Sequence, residues 1–173
     1  SEDKMVIMHK KLNRFILSFL FIGMVFGNVT VTVGDVEVDG YTTDIVVPVN
    51  VSNSNDAVGG FQFDIMPVPL IIEISGATPV DGDNYSADFN ILNDGSGRVV
   101  FYSNSENGIA EGGNDVVLNL HYDGSDILSA LVNLETSNLT VSDEDGAVID
   151  GTVEDGSIMI GNVVFLSATT DTG

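Results

Sequence analysis

Two short stretches carry carboxylates on alternate residues, Asp81-Gly82-Asp83-Asn84 and Asp143-Glu144-Asp145-Gly146. Oxygen ligands so spaced suit a hard cation that takes six to eight oxygens, which makes Asp81, Asp83, Asp143 and Asp145 candidate calcium ligands. Neither stretch matches the twelve-residue EF-hand loop. Asp, Asn and Gly also populate turns for purely conformational reasons, so a plain turn stands beside the calcium reading.

Catalytic groups are scarce. The chain has no cysteine, which excludes disulfides and thiolate metal sites. After position 28 the only histidine is His121, on the polar side of an alternating stretch, where an exposed or hydrogen-bonded structural role is expected rather than general-base work. No serine sits in a Gly-x-Ser-x-Gly elbow. A glycosidase needs two carboxylates at a fixed separation, and a chain this acidic meets that distance by chance. The expectation is a protein that is not an enzyme.

Charge is uneven along the chain. Of five basic residues, Lys4, Lys10, Lys11 and Arg14 lie in the first fourteen positions, and Arg98 stands alone afterwards against 24 of the 26 acidic residues. A phosphate-binding surface needs clustered Lys and Arg, so nucleic acid and anionic lipid are excluded as partners of the part beyond residue 27.

The early cations belong to a recognisable segment. Met8-His9-Lys10-Lys11-Leu12-Asn13-Arg14 is basic, Phe15 to Phe26 is mainly apolar, and Gly27 follows with Val25 two residues before it. That is the pattern of a secretory signal cleaved after Gly27, and its apolar part is short against the ~20 residues of a membrane span. Residues 1–27 are therefore read as a signal peptide with an upstream remnant, which implies a secreted or cell-surface protein.

The elements that must position any site are strands. Val29, Val31 and Val33 alternate with threonines, and Ile45, Val47, Val49 and Val51 alternate around Pro48, whose missing N–H predicts an edge or a bulge. Val116, Leu118, Leu120 and Tyr122 repeat the pattern. Leu70 to Ile74, Ala87 to Leu92, Val99 to Tyr102, Leu134 to Val141 and Ser157 to Gly161 are read as further strands, with Gly76 to Tyr85 a loop and Asn93-Asp94-Gly95-Ser96-Gly97 a hairpin turn. About nine short strands, and no long helix after residue 27, predict one antiparallel β-sandwich over residues 28–162. Residues 163–173 are a tail or one extra strand.

The stretch around which these strands are arranged is Val58-Gly59-Gly60-Phe61-Gln62-Phe63-Asp64, followed by the corner Met66-Pro67-Val68-Pro69. Phe61, Phe63 and Ile65 form a buried face, and the bare Gly59-Gly60 backbone suits a bulge or the close approach of another strand. Together with Gly97-Arg98-Val99-Val100-Phe101-Tyr102-Ser103 and Asp155-Gly156-Ser157-Ile158-Met159-Ile160, this order resembles the cohesin domains of extracellular bacterial and archaeal assemblies, over roughly Val29 to Gly161. The family's usual Tyr-Asp-Pro corner is replaced here by Pro67-Val68-Pro69.

The resemblance implies a jelly-roll topology and a non-catalytic role in which one sheet face docks a dockerin, a small calcium-binding helical module. On this chain the face would include Gly60, Gln62, Tyr102, Asn104 and Glu106, with Tyr102 as aromatic anchor and Gln62 and Asn104 as hydrogen-bonding neighbours. No cofactor is required by this reading. Two alternatives remain open: a self-assembling surface or fibre subunit joined by strand addition, and a carbohydrate-binding module. The second is disfavoured by the absence of Trp and by having only four Tyr. Asn-x-Ser/Thr acceptors occur at Asn28, Asn50, Asn84 and Asn138.

Overall fold

A computed structural model describes residues 29–53, 56–104 and 108–161. The expected signal segment and the 163–173 tail lie outside the described residues.

Twelve strands, and no helix, are present among the described residues. They are β1 (Val29–Val33), β2 (Asp35–Val38), β3 (Ile45–Asn53), β4 (Gly60–Val68), β5 (Ile74–Pro79), β6 (Tyr85–Ile91), β7 (Gly97–Ser103), β8 (Asn114–Tyr122), β9 (Ala130–Ser142), β10 (Val148–Ile149), β11 (Gly151–Glu154) and β12 (Gly156–Ile160). One sheet runs β11-β1-β3-β8-β5 and the other β2-β12-β9-β4-β7-β6, with β10 added beside β9. This is the expected β-sandwich of jelly-roll type, with twelve strands where about nine were expected.

The core follows from the alternation. Val29, Val31, Val33, Ile45, Val47, Val49, Leu118, Leu120 and Tyr122 point inward from the first sheet, and Phe61, Phe63, Ile65, Val99, Phe101, Val132, Leu134, Ile158 and Ile160 from the second, all buried. Phe101 lies over Phe61 with ring centroids 4.8 Å apart and planes 16° from parallel. Burying such rings supplies much of the drive that brings the two sheets together.

The first and last strands close the sandwich jointly. β1 pairs β11 in parallel in one sheet, and β2 pairs β12 in parallel in the other. The chain crosses between sheets at Gly34 and again at Asp155, whose Oδ1 accepts bonds from the Thr136 backbone N–H at 2.7 Å and hydroxyl at 2.6 Å. A Cβ on Gly156 would run into the Gly34 carbonyl, so glycine there is what lets the two crossings lie side by side.

Three expectations are corrected. Leu70–Glu73 is a bend rather than part of a strand, because Pro67 and Pro69 donate no backbone bond and only Ile72 of the run is buried. The strand begins instead at Ile74 and runs to Pro79 through part of the expected loop, pairing with β8. Pro48 lies on a central strand and not at an edge, and the register of β3 against β8 shifts at Val49/Asn50, the bulge that was the other reading.

Candidate partner-binding face

The outward side of β4 is set by the same period that buries its phenylalanines. Gly60, Gln62, Asp64 and Met66 point away from the core, and the ladder places specific neighbours beside each. Gly60 stands between Tyr102 of β7 and Ser142 of β9. Gln62 stands between Val100 and Thr140, and Asp64 between Arg98 and Ser137. Across β7, Ser86 is opposite Tyr102, Asp88 opposite Val100 and Asn90 opposite Arg98. Three rows of four residues thus cross β6, β7, β4 and β9.

Gly60 is required by the neighbouring strand. A Cβ there would stand 2.8 Å from the Phe101 carbonyl oxygen and 3.3 Å from the Tyr102 Cα, and one on Gly59 would run into the Asp143 backbone. The missing side chain leaves a shallow depression of about 250 Å³, lined by Gly60, Gln62, Tyr102, Thr140 and Ser142 among others. Tyr102 is 49% exposed at its rim. The arrangement is an exposed aromatic beside a bare strip of backbone with hydroxyl and amide groups around it.

Below the depression is a polar cluster that sequence reasoning missed. Asp64, with 7% of its side chain exposed, takes Arg98 Nε on Oδ1 at 2.7 Å and Nη2 on Oδ2 at 2.9 Å, and Asn138 Nδ2 also donates to Oδ2 at 2.8 Å. Asn138 reaches it because β9 carries two residues opposite Phe63, and Asn138 takes the left-handed conformation there with φ of 53°. The Arg98 bonds hold the Asp64 carboxyl below its ordinary value, against burial, which raises it, and with help from Asn138. The available signal was an acid on the outward phase of β4 with the chain's lone late cation as its one charge partner.

The remaining anticipated residues are dispersed. Asn104 lies one residue beyond β7, where its Oδ1 accepts the Ser86 hydroxyl at 2.7 Å and its N–H donates to the Asn84 carbonyl at 2.8 Å, tying β7 to β6 at the rim of the face. Glu106 lies outside the described residues. Asp81 caps its own turn, accepting from the N–H groups of Asp83 at 3.2 Å and Asn84 at 3.3 Å and from Asn84 Nδ2 at 2.8 Å, and these bonds lower its pKa. Asp143 likewise accepts from the Asp145 and Ala147 N–H groups, at 3.1 and 2.7 Å. Asp83 and Asp145 sit in those same two turns, and among the described residues no three His, Asp or Glu side chains converge on a common point.

His121 lies on the outer face of the other sheet. Its Nδ1 is 2.9 Å from Asp44 Oδ1 and its Nε2 2.8 Å from Thr78 Oγ1, so both ring nitrogens are engaged.

No protein-family model matches the sequence, and no curated protein matches it. Solved structures do match. A non-cellulosomal cohesin from the archaeon Archaeoglobus fulgidus superposes with a TM-score of 0.60 at 20% identity, covering 78% of this chain and 92% of that one. The chain has the cohesin fold. A second example of that fold, from a type I cohesin–dockerin complex of Clostridium thermocellum, gives a TM-score of 0.62 at 16% identity over 81% of this chain and 97% of its own. A cohesin module from a family 33 glycoside hydrolase of Clostridium perfringens gives 0.61 at 17% identity over 78% and 96%.

Proposed function

We propose that this protein is an extracellular, non-catalytic binding module that docks a dockerin-type, calcium-binding partner through the outward face of β9, β4, β7 and β6. The observation that carries the reading is the row Ser86, Tyr102, Gly60 and Ser142, an exposed aromatic beside a strip of backbone that cannot bear a side chain. The cohesin fold supports it, since cohesins of this fold have been solved in complex with dockerins. Thr78, His121 and Asp44 are joined in a hydrogen-bonded line, but on the other sheet and not on this face. The basic and apolar segment before residue 28 supports export.

The test is calorimetric titration of the protein with a panel of dockerin modules in calcium, repeated with Gln62→Ala and Tyr102→Ala. Saturable binding weakened at least tenfold by Tyr102→Ala is the expected result. A folded protein that binds none of them, and instead polymerises with rising concentration, would replace this reading with strand-addition assembly.

A further inference from the structure

Arg98 is the only Lys or Arg after residue 14, in a chain whose formal net charge is −21. It stands on the partner-binding face. The ladder sets Asn90 of β6 on one side of it and Asp64 of β4 on the other, two rows along β7 from Tyr102. At about 3.4 Å per residue, the step from Arg98 to Tyr102 spans about 14 Å.

The pairing with Asp64 uses only part of the guanidinium. Of its five N–H donors, Asp64 takes Nε and one hydrogen of Nη2. Three are left, two on Nη1 and one on Nη2, and a fork of one hydrogen from each nitrogen matches a second carboxylate. Asp64 is the sole acid paired with Arg98 among the described residues, and the Arg98 side chain is 41% exposed, within reach of a partner. It is also held in place. Two parallel bonds to a carboxylate that is itself nearly covered fix the plane of the group, so less rotamer freedom is lost when a partner arrives.

We propose that Arg98 is a specificity-determining residue of the docking face and binds an Asp or Glu carboxylate of the dockerin-type partner through its Nη1 and Nη2 N–H groups, an inference that rests on the docking reading above. The partner's acid then lies about 14 Å from the group that meets Tyr102. Every other Lys, Arg, Asp or Glu among the described residues is an acid, so a partner's carboxylate is attracted here and repelled elsewhere. The pair therefore sets the register of docking as much as its strength.

The experiment is calorimetric titration with the dockerin module of the panel whose binding depends on Tyr102, its Asp and Glu residues changed one at a time to Asn and Gln. Against wild type, one of these changes should weaken binding by about tenfold or more. The same change should cost less than about twofold against Asp64→Asn/Arg98→Gln, a double variant that removes both charges and leaves no carboxylate unpaired. Its urea midpoint checks that it is folded. Arg98→Lys keeps a cation beside Asp64 and loses the fork, so it should weaken binding of the unaltered module by about threefold or more, and it supplies the reading where the double variant does not fold. The inference is overturned if no acid of the module depends on residue 98 in this way, or if Arg98→Lys binds as tightly as wild type. In either case a module that still binds through Tyr102 leaves the docking reading standing, whereas a protein that binds no module ends both.

Discussion

Arg98 and Asp64 face one another across the β4–β7 ladder and meet in two parallel hydrogen bonds, Nε to Oδ1 at 2.7 Å and Nη2 to Oδ2 at 2.9 Å. The Arg98 side chain is 41% exposed while that of Asp64 is nearly covered, so the pair is grounded on the sheet and open to solvent on one side. With Asn138 on the same carboxylate, β7, β4 and β9 are joined by side chains as well as by their ladders.

Asp64→Asn keeps the shape and removes the charge. Hydrogen bonds to a charged group contribute about 1.5–3 kcal/mol, so a loss of about 2 kcal/mol is expected at neutral pH. The pH dependence has a definite sign. Because the folded state holds the carboxyl below its ordinary value of 3.8, it releases the proton more readily than the unfolded chain does. The stability gained is complete above that ordinary value and is lost as pH falls through the lower, folded one. Thermal unfolding of wild type and Asp64→Asn from pH 7 to pH 2 should therefore show a Tm gap that is steady down to about pH 4 and then narrows. A gap independent of pH would mean that packing, not ionisation, separates the two proteins.

Two glycines with opposite surroundings test the close approach of β7 to β4. A methyl on Gly60 would stand 2.8 Å from the Phe101 carbonyl, which belongs to backbone and cannot swing aside. Gly60→Ala should cost about 1–3 kcal/mol, the usual range for forcing a methyl into filled space. Gly82 has nothing within 4 Å of the same position and no positive φ. Gly82→Ala should be neutral or stabilising by about 0.4–1 kcal/mol, through the reduced freedom of the unfolded chain. Urea midpoints for the two variants check both.

How far these features were legible in the sequence depended on how local their cause was. The alternation of Val29 to Val33, of Ile45 to Val51 and of Phe61 to Ile65 states which face is buried without reference to any other strand, and the bare pair Gly59-Gly60 announced a close backbone approach. The run Leu70 to Ile74 is apolar without a period, and nothing local distinguishes a buried strand from a bend flanked by prolines. β10 and β11 have two and four residues, too few for a pattern, and exist because β9 and β1 offer them partners. Asp64 reads as surface charge until Arg98, 34 residues on, and Asn138, 74 residues on, are brought beside it. Asn138 stood out only as a glycosylation acceptor.

Adjacent residues on β7 should separate stability from binding. Phe101 is 1% exposed, stacked on Phe61 and in contact with Tyr85, whose ring centroid is 5.2 Å away. Phe101→Ala removes a buried ring between the sheets and should cost about 3–5 kcal/mol. Tyr102 points the other way, and a half-exposed ring beside Gly60 contributes little to the fold, so Tyr102→Ala should change stability by no more than about 0.5 kcal/mol. In binding the order reverses. Tyr102→Ala should lose a partner at least tenfold while its unfolding curve overlays wild type, whereas Phe101→Ala, where still folded at low temperature, should bind in proportion to its folded fraction. Measuring both variants by denaturation and by titration decides the matter, because a Tyr102→Ala protein that lost stability and affinity together would mark Tyr102 as a structural residue and move the docking surface elsewhere on the sandwich.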